Sequence, residues 1–279
     1  MENEDFSLPI VENPKYLYQY TSIDTLALIL KNKTIKFNSL KNVDDVEESQ
    51  ASDIKDFGKF TYTSCWTYDD AENLALWNMY TEKMKGVRIK LPYDCLIENK
   101  NYLIKELEKS NLDLITYYSY ILTIDGHKKD EKMRSYQLRD VEYTNQQYKL
   151  YPKILDNRLE PNVIKLGLHK RKQWEFQKEY RHLIYTCPLE ISNLLKKRND
   201  IKCSKDYINL REIIIQCFEK HDKIPEGLFL DIDKDCFNEM EIMLGPKTTE
   251  SDKIIVESLI KEYNPKAKLV ESNFRNKIR

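Results

Sequence analysis

The sequence predicts one α+β domain spanning residues 1–279, and three observations carry that reading. Short runs in which apolar and polar side chains alternate recur towards both ends of the chain, the pattern of half-buried strands. Between them, over about residues 95–172, charge-rich segments of helix-favouring residues predict a helical insertion between two halves of one sheet. Only six glycines and nine prolines occur, too few for a flexible linker between separate domains.

Residues 16–20, opening on Tyr16, read as an aromatic strand, and Ser22 stands where a hydroxyl caps a helix running from Ile23 to about Leu30. Residues 34–37 resume a strand with Ile35 and Phe37 on one face. The acidic loop Asp44, Asp45, Glu47, Glu48 follows and is expected to be exposed. Residues 60–67 alternate aromatic and hydroxyl side chains like a strand. Asp69 or Asp70 is then placed to cap a helix carrying Leu74, Trp77, Tyr80 and Met84, with Gly86 as its stop. Val87, Ile89 and Leu91 give another strand, ending at Pro92. Inside the insertion, residues 101–109 and 128–151 read as helix. Beyond it, residues 179–187, 213–217, 228–232 and 240–244 are strand candidates. Gly245 and Pro246 break the last, Thr248 or Thr249 caps a helix over 252–262, and residues 268–271 close the sheet.

Composition narrows the partners. A hydrophobic content of 41% with 11% aromatics suffices for a core. The 45 basic and 46 acidic side chains nearly cancel, leaving no overall field to draw in nucleic acid, which is not a favoured partner. No segment is apolar for long enough to span a bilayer and the first residues carry no secretory pattern, so no membrane partner and a cytoplasmic location are expected. The six cysteines and four histidines are scattered without ligand spacing, so reduced thiols and no metal are expected. Lys170, Arg171 and Lys172 read as a solvated charge run.

The most informative stretch is Trp174, Glu175, Phe176, Gln177, Lys178, Glu179, Tyr180, Arg181, His182. As an extended strand it sets Glu175, Gln177, Glu179 and Arg181 on one face, with Phe176 and Tyr180 on the other. Such a polar row lines a cleft or faces water, because buried carboxylates need partners. In a cleft, a fixed carboxylate stabilises an oxocarbenium-like sugar by charge and by a bond to a ribose hydroxyl, which makes Glu179 the candidate catalytic residue. Arg181 is expected to hold Glu179 or a phosphate; the competing reading is a structural Glu179 to Arg181 pair at a sheet edge. Tyr18 to Ser22 is the second candidate, with Gln19, Tyr20 and Thr21 offering polar tips and an aromatic face for a nucleobase or nicotinamide. In the third, Ser64 meets a ribose and Trp66 stacks on a ring, although hydroxyls in strands are commonly structural. Trp77 and Tyr80 are expected in the core.

Taken in order, these segments resemble a bacterial family described as domain of unknown function 2971. The resemblance is carried by Leu17, Tyr18, Gln19, Tyr20; Ile35 to Phe37; Asp44, Asp45, Glu47; Cys65, Trp66, Thr67; Trp77, Tyr80, Gly86, Val87; Trp174, Phe176, Glu179, Tyr180, Arg181; and Leu244, Gly245, Pro246. The motif order is similar, more distantly, to the ADP-ribosyltransferase fold, which implies a small split mixed sheet and NAD as substrate. By that resemblance Gln19 or Tyr20 takes the first position, Ser64 or Thr67 the second, and Glu179 the third. Gln19 stands where many such enzymes have a histidine, and the middle strand lacks a Ser-Thr-Ser. The implied function is transfer or hydrolysis of ADP-ribose, in bacteriophage defence or as a toxin, with the macromolecular acceptor left open. Two alternatives accompany it: a non-catalytic sensor of a nucleotide or NAD-derived molecule, and a nucleic-acid or protein interaction module.

Overall fold

A computed structural model describes residues 13–97, 99–115, 136–157, 159, 161–196 and 203–278. The fold is α+β around a mostly antiparallel mixed sheet. Its strands are β1 (Tyr16–Thr21), β2 (Thr34–Ser39), β3 (Thr61–Thr67), β4 (Val87–Pro92), β5 (Leu96–Ile97), β6 (Leu112–Leu114) and β7 (Gln137–Asp140), then β10 (Glu179–Pro188), β11 (Gly227–Ile232), β12 (Glu241–Leu244) and β13 (Lys268–Glu271). Two further strands, β8 (Glu142–Thr144) and β9 (His169–Arg171), form a small parallel pair of their own. The strand order is β13-β12-β4-β1-β3-β2-β11-β5, and β10 lies along β3.

Local chemistry explains the flanking helices. Helix α1 (Ile23–Asn32) starts where the Ser22 hydroxyl accepts from Thr25 N–H. It ends at Lys33, whose left-handed backbone lets its N–H reach Ile29 O. Leu26, Ile29 and Leu30 make its buried stripe. The helix Glu250–Tyr263 opens with a capping box between Thr249 and Asp252 and buries Val256 and Ile260.

Several elements differ from the sequence reading. Helix α2 (Leu74–Tyr80) is capped by Asn73, whose side chain accepts from Ala75 and Leu76, so neither Asp69 nor Asp70 is the cap. It also stops before Met84, because Glu82, Lys83 and Met84 all take positive φ. Gly86 leads into β4 instead of ending the helix. A Cβ there would sit 2.2 Å from Thr21 O, so only glycine lets the two backbones approach. The apolar run at 213–217 is helical, within Ser204–Glu219, because Leu210, Ile214 and Phe218 recur every four residues and bury one face.

The expected helical insertion is corrected most. Its reading over 101–109 becomes helix α3 (Lys100–Lys109), but the rest of the described stretch is largely strand and loop. β6 pairs with Thr186–Pro188 and β7 with Tyr180–Leu183, so both cover the outer edge of β10. Short edge strands tolerate charged side chains, which is why their composition did not look like strand. Of the helix read over 128–151, residues 128–135 lie outside the described residues, as does His127, and 136–151 keep only the turn Gln147–Leu150.

Candidate functional site

The sheet forks at β3. One edge of that strand pairs continuously with β10, from Thr61 opposite Tyr185 to Thr67 opposite Glu179. The other edge meets β2 at Asn38 to Thr63 and Ser39 to Tyr62, and meets β1 only at Tyr18 to Thr67. Between these contacts β1 and β2 diverge, and the Gln19 amide donates to Cys65 O at 3.1 Å. A recess of about 240 Å³ opens at the divergence.

Register shows which side chains the recess face collects, since paired residues project together and neighbours alternate. Tyr18 and Tyr20 of β1, Lys36 and Asn38 of β2, Thr63, Cys65 and Thr67 of β3, and Glu179 and Arg181 of β10 share one face. Tyr80 of α2, Asp44, Lys170 and Gln177 complete the wall. The opposite face carries Leu17, Ile35, Phe37 and Ile89 into the main core.

Glu179 does not continue an extended run from Trp174. Residues Lys172–Gln177 form a 3₁₀ turn and Lys178 is left-handed, so β10 begins at Glu179 itself. The turn still brings Gln177 beside Glu179, whereas Glu175 and Phe176 point to solvent. Glu179 is buried and held by a fork: Arg181 Nε donates to Oε1 at 2.7 Å and Nη2 to Oε2 at 3.0 Å. Lys170 adds a bond to Oε2 at 3.2 Å. Glu48 closes the cluster, 3.0 Å from Lys170 and 2.5 Å from Arg181, whose Nη1 donates to Gly167 O at 3.0 Å. From Lys170 a chain of bonds runs to Gln177 (2.8 Å), then from Gln177 to Tyr80 (2.7 Å) and from Tyr80 to Asp44 (2.6 Å).

Two expectations of exposure are thereby overturned. In the acidic loop Asp45 and Glu48 are buried, and in the basic run Lys170 is buried. The two runs are partners: Asp45 takes both Nε and Nη2 of Arg171 while Glu48 takes Lys170 and Arg181. Opposite charges meeting in a seam offset part of the desolvation cost that made each run look solvated.

The electrostatics limit the chemistry. Burial alone would raise the Glu179 carboxyl, but Arg181 and Lys170 outweigh it and hold it well below the carboxylate range. Lys170, which burial would lower, is kept charged by Glu179 and Glu48 and is no base. Burial, with Glu179 adding, pushes the Cys65 thiol up to about 12, so it is no nucleophile at neutral pH. Because the folded state binds the Glu179 proton more weakly than the unfolded chain, its stabilising contribution is complete above its ordinary 4.5. That contribution is lost as pH falls towards about 2. Unfolding free energies measured across that window are expected to fall more steeply for wild type than for Glu179→Gln; matching slopes would contradict the ion cluster.

Of the residues singled out from sequence, Glu179, Arg181 and Tyr20 lie together on the recess face. Gln19, Ser64 and Trp66 alternate to the other face and border the recess only along the open edge of β3. The Trp66 indole is buried and donates to Ser64 Oγ at 3.0 Å, so neither residue presents the stacking surface or free hydroxyl expected of it. Thr21 pairs with Val87 at the far end of β1 and does not line the recess. Sequence reasoning missed Lys36, Asn38, Glu48, Lys170 and the site role of Tyr80. The complementary runs at 44–48 and 170–172 were the available signal. Among the described residues no group of three or more His, Cys, Asp or Glu is arranged to hold a metal ion, and no helix is long and apolar enough to cross a membrane.

No family model, curated protein or solved structure matches the chain.

Proposed function

We propose that the forked-sheet recess binds a nucleotide or an NAD-derived small molecule. One observation carries the reading: an ionised, buried carboxylate and Tyr18 and Tyr20 line the same recess at the divergence of β1 and β2. Tyr18 and Tyr20, backed by Arg88 and, for Tyr20, by Trp77, form an aromatic wall for a planar base, and the Asn38 amide and Thr63 hydroxyl suit a sugar. A volume of about 240 Å³ lies just below the usual range for ligand sites, so it seats a nucleoside-sized part while the remainder extends outwards. The motif order that resembles the ADP-ribosyltransferase fold supports the same ligand class.

Binding without turnover is the better-supported form. Glu48 and Glu179 are matched by Lys170 and Arg181, so the cluster offers little net negative charge to a ribosyl cation. The interaction-module alternative rested on helices between Cys95 and Trp174, and the described residues there carry α3 and otherwise only short turns, Gln147–Leu150, Val163–Lys165 and the start of Lys172–Gln177. Cleavage of NAD remains the second reading, favoured because Glu179 stays ionised within the recess beside Tyr20. One assay tests both: thermal unfolding with a nucleotide panel, followed by NAD consumption for wild type and Glu179→Gln. A ligand at a hundred times its dissociation constant is expected to add about 2.7 kcal/mol. A catalytic Glu179 would make the variant about a hundredfold slower. No shift with any nucleotide ends the binding proposal, and equal NAD consumption ends the catalytic one.

A further inference from the structure

We infer that Lys36 is the phosphate-recognition residue of this recess, so that the ligand selected is phosphorylated and lies with its uncharged end towards Glu179. The inference rests on the binding reading above and adds an orientation and a substrate class. Three cations line the recess: Lys36, Lys170 and Arg181. Lys170 and Arg181 are paired with Glu48 and Glu179, so their charges are already matched. Lys36 is different. Its side chain is 42% exposed, and its ion pair is a 3.9 Å approach to Glu226, whose own side chain is 97% exposed. Such a surface pair is worth little and yields readily to a better anion. Lys36 stands on β2 two residues before Asn38, so it projects to the recess face.

The remaining lining charge settles the direction. Asp44 is fixed by Tyr80 on the α2 side and repels a phosphate there, while the charge-balanced cluster at the base leaves it no free cation. A phosphate therefore has one favourable place, beside β2, where the Lys36 ammonium supplies a charge-assisted bond and Asn38 and Asn42 supply neutral amides.

Titration calorimetry of wild type and Lys36→Gln with adenosine, AMP, nicotinamide riboside and nicotinamide mononucleotide tests the inference. In wild type the phosphorylated member of at least one pair is expected to bind about tenfold or more tightly than its nucleoside, the scale of a charged hydrogen bond. The advantage should shrink with added salt. In Lys36→Gln the two members should bind alike. If nucleosides bind but phosphate brings no advantage, or the advantage survives in Lys36→Gln, the role of Lys36 is overturned and the binding reading stands. If no compound binds wild type, both fall. Lys36 is partly exposed on its strand, and an unchanged unfolding temperature for the variant confirms that its fold is intact.

Discussion

Arg181→Ala is expected to lower stability by about 3–5 kcal/mol, the cost of breaking a buried ion pair from one side. Arg181 has no exposed surface, and its guanidinium is shared between both oxygens of Glu179, Glu48 and the Gly167 carbonyl. Removing it leaves two buried carboxylates facing a single ammonium, Glu179 without its fork and Glu48 without its closest ion pair. Arg181→Lys should recover only part of the loss, because a point charge cannot span the fork between Nε and Nη2. Urea denaturation of the three proteins checks this. A loss below about 1 kcal/mol for Arg181→Ala would place the cluster with solvent-screened surface pairs.

Trp77→Ala should cost a similar amount, about 3–5 kcal/mol, for a different reason. Trp77 is fully buried in a second cluster with Tyr20, Leu76 and Met243, on the recess face of the sheet. Its ring meets Tyr20 edge-on at 4.8 Å, and its indole N–H donates to Glu72 at 3.0 Å. Glu72 also accepts from the Asn273 N–H at 2.7 Å, so this one side chain ties α2 to the C-terminal segment. The alanine variant therefore loses packing, a hydrogen bond and the support that fixes Tyr20. Trp77→Phe retains most of the packing and should lose clearly less. Denaturant midpoints measure the first effect, and a weaker nucleotide-induced thermal shift in Trp77→Ala would report the loosening of Tyr20.

Strands whose alternation is driven by a buried face were legible in the sequence. Ile35 and Phe37, Val87, Ile89 and Leu91, and Leu228 and Leu230 all fall where their two-residue period placed them. What escaped was structure fixed by partners distant in sequence. β6 and β7 are strands because the edge of β10 needs covering, which Leu112–Leu114 and Gln137–Asp140 do not announce by themselves. The run at 213–217 reads as strand because β-branched residues suit either state, and the deciding spacing of Leu210, Ile214 and Phe218 extends beyond that run. At the site, residue types were read better than their directions. Glu179 and Arg181 share a face as the two-residue period requires, but the same period turns Ser64 and Trp66 away from them.

The ion cluster has a consequence for how the chain must assemble. Glu48 comes from a turn following β2, Lys170 from β9, and Glu179 and Arg181 from β10, so charge balance depends on contacts between segments remote along the chain. Until β10 docks on β3, each of these groups keeps its water. Non-local pairing of this kind slows folding, and the closing of the sheet is expected to coincide with the completion of the recess.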